Sequence, residues 1–214
     1  MPKVSILCPT IRPEGLTPLM NSLERQTNQD FELLVEVGMP WKGHDLNAAM
    51  NRMLKRAMGE VVISIQDYIS VPPDTVAKVL ELYALYPQGF TTFPMGKIQP
   101  NGDIKFDWRA GGDYRRIAGY EWETDFAMAP LEMFKAIGGY DEAYDAGWSW
   151  DNASVGVRAE LAGFIPSCYP GLKGIGVDHD AVIPHPFRGK NENGKLHSER
   201  EKEYRDGKWK LGYL

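Results

Sequence analysis

The stretch Gly59-Glu60-Val61-Val62-Ile63-Ser64-Ile65-Gln66-Asp67-Tyr68-Ile69-Ser70-Val71-Pro72-Pro73-Asp74 sets the fold class. Residues 61–65 are a short apolar, β-branched run with one serine, bounded by Gly59 and by a proline pair. That length and composition suit a buried parallel strand better than a helix. A helical pattern ends at Met58 and another begins near Asp74, so the strand sits inside an α–β–α alternation. Open α/β sheets bind ligands outside the carboxyl ends of their strands, and Gln66, Asp67 and Tyr68 leave this strand at that end. A carboxylate there, beside a phosphate-bearing ligand, suits a divalent cation held by hard oxygen ligands; Asp67 equally suits the start of a turn before the prolines.

Working outward toward the N-terminus, the pattern repeats. Residues 4–8 read as a buried strand stopped by Pro9, and Leu16, Leu19, Met20 and Leu23 follow at helical spacing, with Thr17 as a cap and Pro18 at the first position. Residues 31–37 are a second strand ending in Glu36-Val37-Gly38. Asp45 is placed to cap a helix carrying Leu46, Ala49, Met50, Met53, Leu54 and Ala57. A β-α-β-α-β opening of this kind implies parallel strands with right-handed crossovers.

Toward the C-terminus, a helix runs from Asp74 or Thr75 through Tyr86, followed by a strand over 90–93. Pro100-Asn101-Gly102-Asp103 predicts a hairpin turn between strands over 95–98 and 104–106. Residues 107–123 mix aromatics, glycines and charges without periodicity, as a binding loop does and as an ordinary surface loop also can. A strand over 124–129, a short helix ended by Gly138-Gly139, a helix over 152–162 and a strand over 164–168 complete the pattern. From His185 onward the chain is polar, with no core-forming pattern before Trp209.

Composition narrows the class. With 43% hydrophobic and 25% charged residues in 214, the chain carries enough apolar material for a core, and no apolar run approaches a membrane span. The opening enters a strand almost at once, which predicts no signal peptide. Two distant cysteines, Cys8 and Cys168, give neither a disulfide framework nor metal-ligand spacing, so a reducing cytoplasm is the expected compartment. A net charge of −5 does not indicate nucleic acid as a partner by broad attraction, although it leaves a local basic patch or a nucleic-acid acceptor open.

Taken together, the pieces resemble the GT-A nucleotide-sugar glycosyltransferases. Val4-Ser5-Ile6-Leu7-Cys8-Pro9-Thr10 is similar to that family's first strand and Pro-Thr loop. Glu36 falls where it carries an acid that meets the nucleobase, and Gly59 to Asp67 resembles its Gly-Glu-strand-Asp-x-Asp segment. Gly138-Gly139-Tyr140-Asp141-Glu142, then Trp148-Ser149-Trp150-Asp151-Asn152 and Arg158, resembles the acceptor-side block. Two departures stand out. The metal motif reads Gln66-Asp67-Tyr68, with one carboxylate, and the acidic pair reads Asp151-Asn152, as in some retaining members, including the polypeptide N-acetylgalactosaminyltransferases.

The resemblance implies an α/β, GT-A-like (Rossmann-related) fold: a mostly parallel central sheet flanked by helices, with a mixed acceptor-side half. It implies one catalytic domain over 1–184, with a nucleotide-binding half over 1–95, an acceptor-binding half over 96–184 and a polar C-terminal segment over 185–214 serving as an active-site loop. The implied activity is transfer of a hexosyl or N-acetylhexosaminyl group from a nucleoside-diphosphate sugar, UDP favoured, to a carbohydrate or other hydroxyl-bearing acceptor. Pro9, Thr10, Arg12, Glu36, Asn51 and Asp67 are then expected around the nucleotide; Arg188 and Lys190, in a loop with two glycines, suit closure over the diphosphate or equally a solvated tail. Asp67 and His179 are expected to hold Mn²⁺ or Mg²⁺, with His185 as another donor. Asp151 is the expected catalytic carboxylate, with Trp148, Trp150 and Asn152 binding substrate; Asp151 also suits a plain helix N-cap. A non-catalytic binding module remains open. So does a sugar nucleotidyltransferase, although the loop after the first strand lacks the glycines that such an enzyme needs.

Overall fold

The computed structural model describes residues 2–38, 45–147, 149–176 and 193–214. Its centre is a seven-stranded sheet built on β1 (Val4–Thr10), β2 (Phe31–Val37) and β3 (Val61–Ile65). β1 pairs in parallel with both others, with Val4 opposite Phe31 and Val61. The helices between them are α1 (Thr17–Glu24) and α2 (Leu46–Leu54). α1 is entered through a 3₁₀ turn over Pro13–Leu16 with no side-chain cap, so Thr17 begins the helix instead of capping it.

After β4 (Ile69–Ser70) and α3 (Thr75–Leu85) come β5 (Gly89–Thr92), β6 (Met95–Ile98), β7 (Ile104–Phe106) and β8 (Arg115–Arg116). β6 and β7 form the expected hairpin around Gly102, whose φ of 87° is the left-handed conformation this turn requires. The remaining elements are β9 (Phe126–Pro130), α4 (Leu131–Ile137), α5 (Asp151–Leu161), β10 (Ile165–Cys168), β11 (Gly174–Gly176) and α6 (Gly194–Arg205).

The large sheet runs β2-β1-β3-β9-β5-β10-β8, and β4-β11-β6-β7 form a second, four-stranded sheet. β9 is antiparallel to both β3 and β5, and β8 is antiparallel to β10, so the other five strands of the large sheet share one direction. The mostly parallel α/β reading therefore holds.

Strand alternation builds two cores. Ile6, Cys8, Val61, Ile63 and Ile65 face Leu19, Leu23, Val76 and Val79 from α1 and α3. Leu7, Val62, Ala127 and Ala129 point the other way, toward Met50, Met53, Phe134, Ile137, Val155 and Ala159. Both faces are covered, which is why the central strands read as continuous apolar runs. Among the described residues no helix is long and apolar enough to cross a membrane.

Of the polar segment over 185–214, residues 185–192 lie outside the described residues, and the rest docks on the domain. Gly194–Arg205 is a helix whose His197 and Tyr204, seven residues apart, are buried at 6% and 1% exposure. Tyr204 Oη lies 2.9 Å from Ser154 Oγ on α5, and Arg200 Nε is 2.9 Å from Asp141 Oδ2. The final residues also dock: Leu211 N donates to Ile137 O and Tyr213 N to Gly138 O. That approach requires glycine at 138, where a Cβ would stand 1.7 Å from Leu211 O.

Candidate functional site

A cavity of about 530 Å³ opens where the carboxyl ends of β1 and β3 meet the segments before β9 and α5. Pro9 and Thr10 come from the end of β1, and Gln66, Asp67 and Tyr68 follow β3. Glu123, Thr124 and Asp125 lead into β9, whose first residue Phe126 pairs with Ile65 at the last position of β3. Trp150, Asp151 and Asn152 stand at the start of α5, and Asn193 reaches in from just before α6.

Asp67 sits in the wall with both oxygens engaged. Thr10 Oγ1 donates to Oδ2 at 2.6 Å, Arg12 Nε to Oδ2 at 3.1 Å, and Arg12 Nη2 to Oδ1 at 3.0 Å. The two side chains are only 6% and 8% exposed, so this is a buried, bidentate ion pair. Three expectations change here. Arg12 does not line the cavity; its guanidinium is held by Asp67 and lies 5.8 Å from the Tyr68 ring. Asp67 already has its counter-charge, and Tyr68 follows it where a second carboxylate would serve an ion. Among the described residues no three His, Cys, Asp or Glu side chains converge on a metal position. The described residues therefore do not fit Mn²⁺ or Mg²⁺ at Asp67.

Two other nucleotide-site expectations are also redirected. Glu36 is absent from the cavity wall; its carboxylate takes Arg56 Nη2 at 2.7 Å and Arg52 Nε at 3.2 Å. Asn51 is 1% exposed and pins the main chain after α4: it accepts from Tyr140 N at 2.8 Å and donates to Tyr140 O at 3.0 Å. Asp45 makes no capping bond and pairs with Arg52, because another acid takes the α2 terminus. Asp145 Oδ1 accepts from Asn47 N and Nδ2, both at 2.8 Å, and Oδ2 from Ala48 N at 2.9 Å. Burial pushes the Asp145 carboxyl up to about 6, against those donors.

Asp151 opens α5 after two residues in left-handed backbone, Ser149 (φ 70°) and Trp150 (φ 71°). Neither is glycine, and such positions cost of order 1–3 kcal/mol and gather at functional sites. The Trp150 ring stacks on His197 with centroids 4.6 Å apart, and Tyr144 Oη is 3.0 Å from His197 Nδ1, so α6 supports this wall. Burial raises the Asp151 carboxyl above its ordinary range, opposed by the backbone N–H groups of Asp151 and Asn152. Asn152 hydrogen-bonds Thr124 Oγ1 through its Oδ1 and donates from Nδ2 to Glu123 Oε2 at 3.0 Å. Arg158 is fully buried and closes the α4 terminus, donating to Ile137 O and Gly139 O.

Of the expected site residues, Pro9, Thr10, Asp67, Trp150, Asp151 and Asn152 meet in one cavity. Trp148, His179, His185, Arg188 and Lys190 lie outside the described residues. Glu123, Asp125 and Asp145 join the wall without a sequence motif. The acids before β9 reach this edge only because β9 runs antiparallel to β3, which brings its amino end beside the carboxyl end of β3.

No family profile and no curated protein matches the sequence. Solved structures do match the fold. S. aureus TarS 1–349 in complex with UDP-GlcNAc aligns at TM-score 0.65 and 13% identity, over 86% of this chain and 60% of that one. The same protein in complex with UDP gives 0.63 and 15%, over 82% and 60%. GalNAc-T7 with UDP, GalNAc and Mn²⁺ gives 0.61 and 13%, over 94% and 54%. The chain thus spans no more than about three fifths of each of these solved chains. At such identities the likeness establishes architecture alone: the chain has the fold of the GT-A glycosyltransferases.

Proposed function

We propose that the chain is a glycosyltransferase that moves a hexosyl or N-acetylhexosaminyl group from a nucleoside-diphosphate sugar, UDP favoured, to an acceptor hydroxyl. One observation carries this reading: the Pro-Thr loop and Asp67 from the first half meet Asp151, Asn152 and Trp150 from the second in a single cavity at the strands' carboxyl edge. The solved structures with the same fold supply the donor class, since they hold UDP or UDP-GlcNAc.

In this reading the Pro9–Thr10 edge receives the nucleotide, and Trp150 offers an apolar ring beside polar groups, as a sugar site requires. Asp151 is the acid of the Asp-Asn pair at the reacting centre, where it receives the acceptor's proton or orients the sugar. Asp151→Asn is expected to lower transfer, or slow donor hydrolysis, by about 10²–10⁴-fold. UDP affinity, measured by calorimetry, should stay nearly unchanged, since the Pro9–Thr10 edge remains. Near-normal turnover by the variant would sink the assignment, and equal loss of binding and turnover would make Asp151 a helix cap.

A second reading, a nucleotide- or carbohydrate-binding module without turnover, is favoured by the neutralised Asp67 and by the amide at Asn152. UDP-sugar binding with no hydrolysis across a donor panel would select it.

A further inference from the structure

The cavity wall contains a carboxyl group that no motif announces. Glu123 sits between the 3₁₀ turn at Gly119–Glu121 and β9, and its main chain is pinned from two strands. Thr92 Oγ1 donates to Glu123 O at 2.9 Å, and Ser64 Oγ donates to Thr124 O at 2.7 Å. Its side chain is held as well. The Thr124 hydroxyl on Asn152 Oδ1 fixes the amide's orientation, and that orientation turns Nδ2 toward Glu123 Oε2. An acid at 152 would repel Glu123; the amide anchors it.

We propose that Glu123 takes the acceptor's proton, that Asn152 is the positioning residue that holds it, and that Asp151 takes the orienting role. The inference rests on the transferase reading. The acceptor O–H bond breaks and its proton passes to a Glu123 carboxylate oxygen. The acceptor oxygen bonds to the anomeric carbon as the bond from that carbon to the diphosphate oxygen breaks, its electron pair leaving on the nucleoside diphosphate.

Two carboxyls in unlike surroundings divide the roles. Asp151 stands at the amino end of α5; burial raises its carboxyl, and the backbone N–H groups of Asp151 and Asn152 work against that. Glu123 is raised by burial and then by the Asp125 charge, with Asp151 adding to them, while Arg109 and the Asn152 amide act against them. Asp125 is itself clamped by Arg109 Nη1 at 2.6 Å and Nη2 at 2.8 Å, so the charge beside Glu123 is fixed in place.

The test uses the full chain, with UDP and a panel of UDP-sugars that includes UDP-GlcNAc, and reads donor hydrolysis with water as acceptor against pH. Glu123→Gln is expected to lose about 10²–10⁴-fold in hydrolysis while keeping UDP affinity within about twofold. Asn152→Ala is expected to move the acid limb of the pH–rate profile to higher pH, because it removes a hydrogen bond to the ionised carboxyl. A merely structural role would not produce that movement. Hydrolysis by wild type that Glu123→Gln leaves unchanged overturns this inference alone. A wild type that neither binds UDP nor hydrolyses any donor overturns the transferase reading and this inference with it.

Discussion

Asp67 shows how a residue's partners decide its chemistry. In the sequence it is a lone carboxylate after a strand; in the fold it accepts three hydrogen bonds from Thr10 and Arg12 inside the wall. Removing one member of a buried ion pair strands the other charge, which typically costs about 3–5 kcal/mol. Asp67→Asn is therefore expected to destabilise the protein on that scale, seen as a lower denaturant midpoint with an unchanged slope. A variant as stable as wild type would show that Arg12 finds another partner or reaches water. The same pairing makes this carboxylate poorly suited to a metal, because its charge is already balanced by Arg12.

At the level of elements, α2 begins beside the cavity and is capped across the fold. Its first N–H groups go to Asp145, which lies close to a hundred residues away along the chain. The folded Asp145 carboxyl is pushed up to about 6 from its ordinary 3.8, chiefly by burial, with the Asp151 charge adding and the Asn47 and Ala48 N–H groups opposing. Between these values the folded state binds more protons than the unfolded chain, so the Asp145 contribution to stability falls as pH rises from about 4 to about 6. Denaturant unfolding of wild type and Asp145→Asn across pH 4–7 should show the difference moving in favour of the variant over that interval and levelling above it. A constant difference would mean that Asp145 titrates alike in both states.

For the whole molecule, the two halves of the chain, 1–95 and 96–184, share hydrogen bonds within one sheet. β9, from the second half, is inserted between β3 and β5 of the first, and β10 continues from β5. Trp122, 1% exposed, packs edge-on against Phe90 of β5 at 5.3 Å. Breaking either half would strip the other of strand partners and core, so cooperative unfolding is the expected outcome. Tryptophan fluorescence and far-UV circular dichroism should give coincident denaturant transitions, whereas two separated transitions would show that the halves fold independently.

The alternating elements of the first half were legible in the sequence because local signals specify them: β-branched runs such as Val61-Val62-Ile63 and helical spacing such as Met50, Met53 and Leu54, as was the Asn101-Gly102 turn beyond them. The cavity's position at the carboxyl edge, with Thr10 and Asp67 on it, was legible because strand direction fixes the edge on which each loop emerges, whereas Asp151 was expected there only from the family resemblance. Helix α6 was obscured because only His197 and Tyr204 of its twelve residues are buried, too few to show a period in a polar segment.

Only the tertiary structure decided which charges cancel. Arg12 with Asp67, Arg109 with Asp125, and Glu36 with Arg52 and Arg56 are pairings over 16 to 55 residues of chain. The approach of Glu123 to Asn152 depends on an antiparallel strand that no local pattern announces. Secondary structure follows from neighbours along the chain, which the sequence contains; the protonation and orientation of a site follow from neighbours in space, which appear only when the strands are assembled.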